Sequence, residues 1–116
     1  MATTQERGWP GHHILANRCK FRRNTLVSEG ERRIVVSTVG GRLDNETVGS
    51  ERYFETMAFE AALDPDGYWD ADVSRPFRFG AKCAVDHYEP SADQEANEMH
   101  DGAVAATVAL LEKRAD

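Results

Sequence analysis

The chain has 116 residues and carries 14 lysines and arginines against 20 aspartates and glutamates, a net charge of -6. This length, with 41% hydrophobic and 29% charged residues, predicts one soluble domain over residues 1–116 and excludes wholesale disorder, collagen and coiled coil. No apolar run approaches the roughly 20 residues of a bilayer span, and the two cysteines form no C-x-x-C pair. We therefore expect a cytoplasmic protein with no membrane partner.

The charge is distributed unevenly along the chain. Residues 1–58 hold nine basic and seven acidic side chains, a net +2, whereas residues 59–116 hold five and thirteen, a net -8. Four basic residues that surround one aromatic residue in the first half are candidates to bind phosphate or a nucleotide. The alternative is a solvated face that pairs with the chain's own carboxylates. This basic cluster consists of Arg18, Lys20, Arg22 and Arg23.

The first half of the chain contains one clear strand. Met1–Gly8 is polar and lacks periodicity, which predicts a loose terminus over residues 1–8. Residues Ile14–Val27 fit a short helix or an extended segment equally well. The run Arg33–Val39 is rich in β-branched residues and ends at two glycines, so it predicts a strand.

The middle of the chain predicts strands around a turn. Glu51–Leu63 has apolar residues at helical spacing, but its aromatic content and alternation also suit a strand, which we prefer for Tyr53–Phe59. The sequence Asp-Pro-Asp-Gly at residues 64–67 is a strong turn signal, so residues 61–76 are expected to form an acidic loop or a hairpin excursion. Phe77–Phe79 and Cys83–Tyr88 alternate like short strands.

The last segment predicts an amphipathic helix. Ser91 with Gln94 has the spacing of a capping box, and apolar residues from Ala92 to Leu111 recur at intervals of three and four. A helix with one apolar stripe needs a sheet face to cover it. The sequence therefore predicts an α+β fold, with a small antiparallel sheet of three to five strands packed against a C-terminal helix.

Several of these segments together resemble a family of small uncharacterised proteins of actinobacterial phages and prophages. The shared features are the strand Val36–Val39, the later strand Phe54–Phe59, and a closing pattern of Tyr88, Ser91 and His100. The sequence departs from the family at Gly40–Arg42, where an apolar stretch is usual, and at Asn45, where histidine is common. The resemblance implies a fold and a phage or prophage setting in a host cell, and it implies no reaction.

The acidic turn region offers a second candidate site. Its carboxylates partly resemble a calcium loop, but Arg75 stands where a bidentate glutamate is needed, and Asx-turns explain the same residues. Its two aromatic residues are typical anchors of a protein interface, or they fold back onto the sheet. The candidate partner-binding residues are Asp64, Asp66, Tyr68, Trp69, Asp70 and Asp72.

The four histidines lack the spacing of a metal site or a catalytic site. No HxH or HExxH motif occurs, and no Gly-rich phosphate loop or nucleophile elbow is present. His100 lies at the margin of the helical stripe, between Ala96 and Val104, which favours a boundary histidine bonded to a neighbouring strand. We therefore assign no catalytic residue, metal or cofactor.

Four functional hypotheses follow. The first is a non-enzymatic phage or prophage accessory protein that binds a host or phage protein or a small ligand, with counter-defence as one role. The second is a homo-oligomer that sequesters a nucleotide signal at the basic cluster. The third is a small metal-dependent hydrolase that uses His87, His100 and loop carboxylates. The fourth is a virion or assembly component.

Overall fold

The computed structural model describes residues 2–6, 19–42, 54–82 and 90–115. In this part of the chain, one antiparallel sheet in the order β1-β2-β3-β4-β5 is followed by one helix. The predicted α+β class, with an antiparallel sheet and a C-terminal helix, is confirmed. The elements are β1 Thr3–Glu6, β2 Cys19–Glu29, β3 Arg32–Arg42, β4 Phe54–Leu63, β5 Trp69–Lys82 and α1 Pro90–Ala115.

A tight hairpin joins β2 to β3. Glu29 pairs with Arg32, so only Gly30 and Glu31 form the loop. Gly30 adopts a φ of 58°, a left-handed conformation that costs glycine least and that two-residue hairpin loops require. The predicted strand Arg33–Val39 is confirmed and extends to Arg42.

A second hairpin occupies the segment that the sequence assigns to an acidic loop or hairpin. Phe54–Leu63 is a strand, as preferred from the sequence, because β3 pairs along it from Ile34 opposite Glu60 to Gly40 opposite Phe54. The turn follows at residues 64–68, and β5 then pairs back from Leu63 opposite Trp69. Strand pairing on both sides of β4 therefore overrides its helical spacing.

Side chains are buried on both faces of the sheet. On one face, Val27, Ile34, Val36 and Ala58 pack with Leu111 of α1. On the other, the buried cluster is Leu26, Val35 and Ala61, and the half-buried Trp69 and Ala71 pack against it. Because adjacent residues of a strand point to opposite faces, consecutive apolar residues at Leu26–Val27 of β2 and Ile34–Val36 of β3 are all buried.

The N-terminal segment is tied to the sheet. The sequence predicts a loose terminus over residues 1–8, whereas Thr3–Glu6 pairs with Thr25–Ser28 of β2. The backbone N–H of Ala2 also donates to the Glu112 carboxylate at 2.9 Å. All four side chains of β1 are exposed, so backbone pairing stabilises this strand without any apolar pattern that the sequence could display.

None of the described helical residues forms a segment long and apolar enough to cross a membrane.

Candidate functional site

Exposed apolar side chains concentrate at the end of the β4–β5 hairpin. Among the residues that the structure describes, the exposed large apolar side chains are Leu63 (58% exposed), Tyr68 (62%) and Val73 (60%). All three lie within this hairpin, where the sequence places the partner-binding residues. Leu63 stands directly opposite Trp69, so the two side chains share a face of the sheet.

Asp64 organises the turn that presents this surface. Its Oδ1 atom accepts hydrogen bonds from the backbone N–H groups of Asp66 and Tyr68, both at 2.9 Å. The backbone closes the same turn, since the N–H of Asp64 donates to the Tyr68 carbonyl at 2.8 Å. Gly67 has a φ of 87°, which other residues adopt only with strain. Asp64 is therefore a turn-forming residue.

A bulge in β5 places a second acidic residue nearby. Phe59 pairs with Pro76 and Ala61 with Ala71, so the four residues Asp72–Arg75 stand opposite Glu60 alone. Asp72 accepts hydrogen bonds from Ser74 and from the Arg75 guanidinium, which lies 2.8 Å from its carboxylate. The Ser74 hydroxyl, followed by Arg75, lowers the pKa of Asp72. These bonds hold the bulge in one shape and expose Val73.

Trp69 is half-buried at the base of the same surface. The Arg33 guanidinium carbon lies 5.7 Å from the centroid of the Trp69 ring, within the range of a cation–π contact. Arg33 also donates to the Gly30 carbonyl at 2.7 Å, which links the two hairpin ends. The sequence left open whether the aromatic pair Tyr68–Trp69 is exposed or folds back onto the sheet. In the structure Tyr68 is exposed, whereas Trp69 packs on the sheet.

The basic cluster of the sequence is divided between two faces of β2. Adjacent residues of a strand point to opposite sides, so Arg22 and Arg23 diverge. Arg23 faces α1 and forms ion pairs with Glu6 (2.9 Å) and Asp101 (2.8 Å), and the Glu6 hydrogen bond chiefly raises its pKa. Arg18 lies outside the described residues, and the backbone of Lys20 belongs to β2. Arg23 thus neutralises the chain's own carboxylates.

A buried polar network joins α1 to three strands. Sequence reasoning identified His100 but not the threonines that complete the network. The His100 side chain is 0% exposed, its Nε2 atom lies 2.8 Å from Thr25 Oγ1, and its Nδ1 atom lies 2.7 Å from Thr38 Oγ1. Thr38 Oγ1 lies 2.6 Å from Thr56 Oγ1. The expected bond to a neighbouring strand is confirmed, but His100 lies in the core and not at its boundary, because its ring is fully buried and both ring nitrogens bond threonines, one of β2 and one of β3.

The charge of Glu6 fixes the direction of every hydrogen bond in this network. The Thr25 hydroxyl donates to Glu6 Oε2 at 3.2 Å, since an ionised carboxylate only accepts. Thr25 Oγ1 must then accept a hydrogen bond from His100 Nε2–H. In a neutral ring Nδ1 is then unprotonated, so it accepts a hydrogen bond from the Thr38 hydroxyl. Thr38 Oγ1 in turn accepts from Thr56. The geometry therefore assigns neutral His100 to the Nε2–H tautomer.

Burial lowers the pKa of His100 to about 4, and the positive charge of Arg23 acts in the same direction. The carboxylates of Glu6 and Asp101 oppose this shift. His100 is thus neutral at pH 7 and fully hydrogen-bonded, which describes a structural histidine.

No three potential metal ligands converge among the residues that the structure describes. Within the acidic turn, Asp64 and Asp72 direct carboxylate oxygens at their own segment. The calcium-loop interpretation therefore finds no converging ligand set there. His87, the other histidine of the hydrolase hypothesis, lies outside the described residues.

No family model, no curated protein and no solved structure matches this chain. The resemblance to phage and prophage proteins stays an expectation from the sequence.

Proposed function

We propose that this protein acts by binding another protein, as a non-enzymatic accessory protein of a phage or prophage, through the end of its β4–β5 hairpin. The hairpin surface consists of Leu63, Asp64, Asp66, Tyr68, Trp69, Asp70 and Val73. The observation that carries the proposal is the gathering of three exposed large apolar side chains on this one hairpin. Clustered exposed apolar residues with a polar rim mark interaction sites more often than isolated ones do.

The charge of the hairpin surface indicates the kind of partner. Asp64, Asp66 and Asp70 lie in the same segment as these apolar residues, between Leu63 and Val73, and Asp72 pairs with Arg75. Backbone hydrogen bonds to Asp64 position its carboxylate within the turn. A protein with a basic rim around an apolar pocket complements this arrangement, and such a rim is typical of nucleic-acid-binding proteins of a host.

The hairpin surface is also preorganised. Asp64 bonds the turn, the Asp72–Arg75 pair bonds the bulge, and Arg33 covers the Trp69 ring. A surface that is already held in shape loses little conformational entropy on binding, which raises its affinity. This rigidity supports a role in recognition.

The test is a comparative capture from a lysate of the organism that carries the gene. The bait is the full chain, offered as the native sequence and as the double variant Leu63→Ser with Tyr68→Ser. A matched control is Ala105→Ser with Ala109→Ser, which changes two exposed positions on α1. We expect one protein to be retained by the native and control baits and lost from the hairpin variant.

The captured protein is then purified and titrated against the three baits. A loss of affinity of at least about tenfold for the hairpin variant alone supports the proposal, because buried aromatic and aliphatic anchors contribute most to binding. Equal affinity for all three baits contradicts it.

A further inference from the structure

The two halves of α1 are attached to the sheet in different ways. After Gly102, the helix packs Val104, Val108 and Leu111 into the apolar cluster around Ile34. Before Gly102, Arg23 bonds the Asn97 side chain at 3.3 Å and pairs with Asp101, and His100 bonds two threonines. Of residues 94–101, whose burial is described, Ala96 is the buried apolar one. Polar bonds therefore dominate the attachment of the first half, and apolar contacts dominate that of the second.

Gly102 separates these halves near the middle of the 26-residue helix. A side chain built there would meet no atom within 4 Å, so packing does not require glycine at this position. Glycine in a helix interior loses more backbone freedom than alanine and weakens the helix locally. The weak point of α1 thus lies two residues beyond His100.

The polar bonds of the first half depend on the protonation state of His100. A second proton would sit on Nδ1 and meet the proton that Thr38 already directs at this atom. The Thr38 and Thr56 hydroxyls would then have to reverse, and a positive charge would be buried beside Arg23. Among the described residues, the other charged groups that act on the ring are Glu6 on β1 and Asp101 on α1, whereas β3 contributes the Thr38 hydroxyl, which β4 bonds through Thr56.

We propose that protonation of His100 detaches β1 and residues 90–101 of α1 from the sheet. The helix bends at Gly102 in this opening, while residues 103–115 stay packed. The arrangement couples β1 to this event because Glu6 bonds both Thr25 and Arg23. The low pKa of His100, about 4, is consistent with a closed state that excludes the charged ring. Opening would expose the Thr25, Thr38 and Thr56 hydroxyls and the β2 edge that β1 covers.

Amide hydrogen exchange on the full chain at pH 7 and pH 4.5, corrected for intrinsic exchange rates, tests the proposal. We expect protection to fall at pH 4.5 by about tenfold or more at Ala96–Asp101 and at those amides of Thr25–Ser28 that bond β1, while Val104–Leu111 and Ile34–Val36 keep theirs. Uniform loss in all four segments, or no loss in the first two, overturns the proposal. NMR titration of the His100 ring provides a second criterion: protection must decline between pH 6.5 and the pH at which the ring titrates in the folded chain, and a decline outside that interval overturns the proposal.

The matched variant is His100→Gln, which keeps hydrogen-bonding atoms but does not titrate. If protonation of His100 causes the opening, this variant should show equal amide protection at pH 7 and pH 4.5. If its protection still falls at pH 4.5, the effect belongs to carboxylates and the proposal is overturned. If His100→Gln does not fold, the position of the decline in protection relative to the ring titration in the native chain decides the question. Gly102→Ala should lower the difference in protection between the two halves of α1 at pH 4.5, and an unchanged difference contradicts the hinge.

Discussion

His100 Nδ1 and Thr38 Oγ1 lie 2.7 Å apart in the core, although 62 positions separate the two residues in the chain. This bond joins the C-terminal helix to the centre of the sheet and leaves no unmet hydrogen-bonding atom on the ring. Both atoms are buried, so each would be costly without the other. The pair therefore restricts how α1 is placed on the sheet.

The first prediction concerns this pair. Thr38→Val preserves shape but removes the proton that Nδ1 accepts, so we expect the free energy of unfolding to fall by about 1–3 kcal/mol. Thr107→Val is the matched control, because buried Thr107 donates only to the Ala103 carbonyl of its own helix. Its expected cost is below about 0.5 kcal/mol, since that carbonyl keeps its place in the helix. Chemical denaturation at pH 7 measures both, and equal costs would contradict the role of the network.

The second prediction concerns pH. The pKa of His100 is lowered in the folded state, from 6.5 to about 4, so the unfolded chain binds more protons between these values. Stability is therefore complete above pH 6.5 and declines as pH falls towards 4, by about 3 kcal/mol over the whole interval. Denaturation curves of the native chain and His100→Gln at intervals of pH measure this. A decline of equal size in both proteins would show that other groups cause it.

The third prediction compares two glycines, one at a position where any residue can adopt the backbone conformation and one at a position where the conformation favours glycine. Gly102→Ala has open space and a helical backbone, so we expect the unfolding free energy to rise by about 0.5–1 kcal/mol. Gly67→Ala must adopt a φ of 87°, so we expect a loss of about 1 kcal/mol. Thermal unfolding of the two variants compares them directly. Shifts of the same sign would disprove the assigned conformations.

The fourth prediction separates core from surface in apolar residues. Ile34→Ala removes a fully buried side chain, and we expect a cost of about 3 kcal/mol from lost burial and the cavity. Leu63→Ser changes an exposed side chain, so stability should shift by less than about 0.5 kcal/mol. Urea denaturation measures both variants. A large loss for Leu63→Ser would show that this residue supports the fold, which would weaken its assignment to the hairpin surface.

Local patterns in the sequence predicted much of the fold. The β-branched run Arg33–Val39 marked the central strand, Asp64–Gly67 marked the hairpin turn, and the apolar stripe marked α1, which begins at Pro90, one residue before the expected cap. The sequence left open whether Tyr68 and Trp69 are exposed or fold back, and the structure separates the two residues. These features depend on neighbours within a few positions, where residue type and spacing carry the information.

The sequence alone determined the fold class, the charge imbalance and the acidic turn, because composition and short-range spacing suffice for them. Tertiary structure decided that β1 pairs with β2, that Arg23 pairs with Glu6 and Asp101, and that His100 bonds threonines of β2 and β3. Each of these contacts joins residues far apart in the chain. Their partners are selected by strand register and helix placement, and no local pattern records which distant side chain will lie opposite.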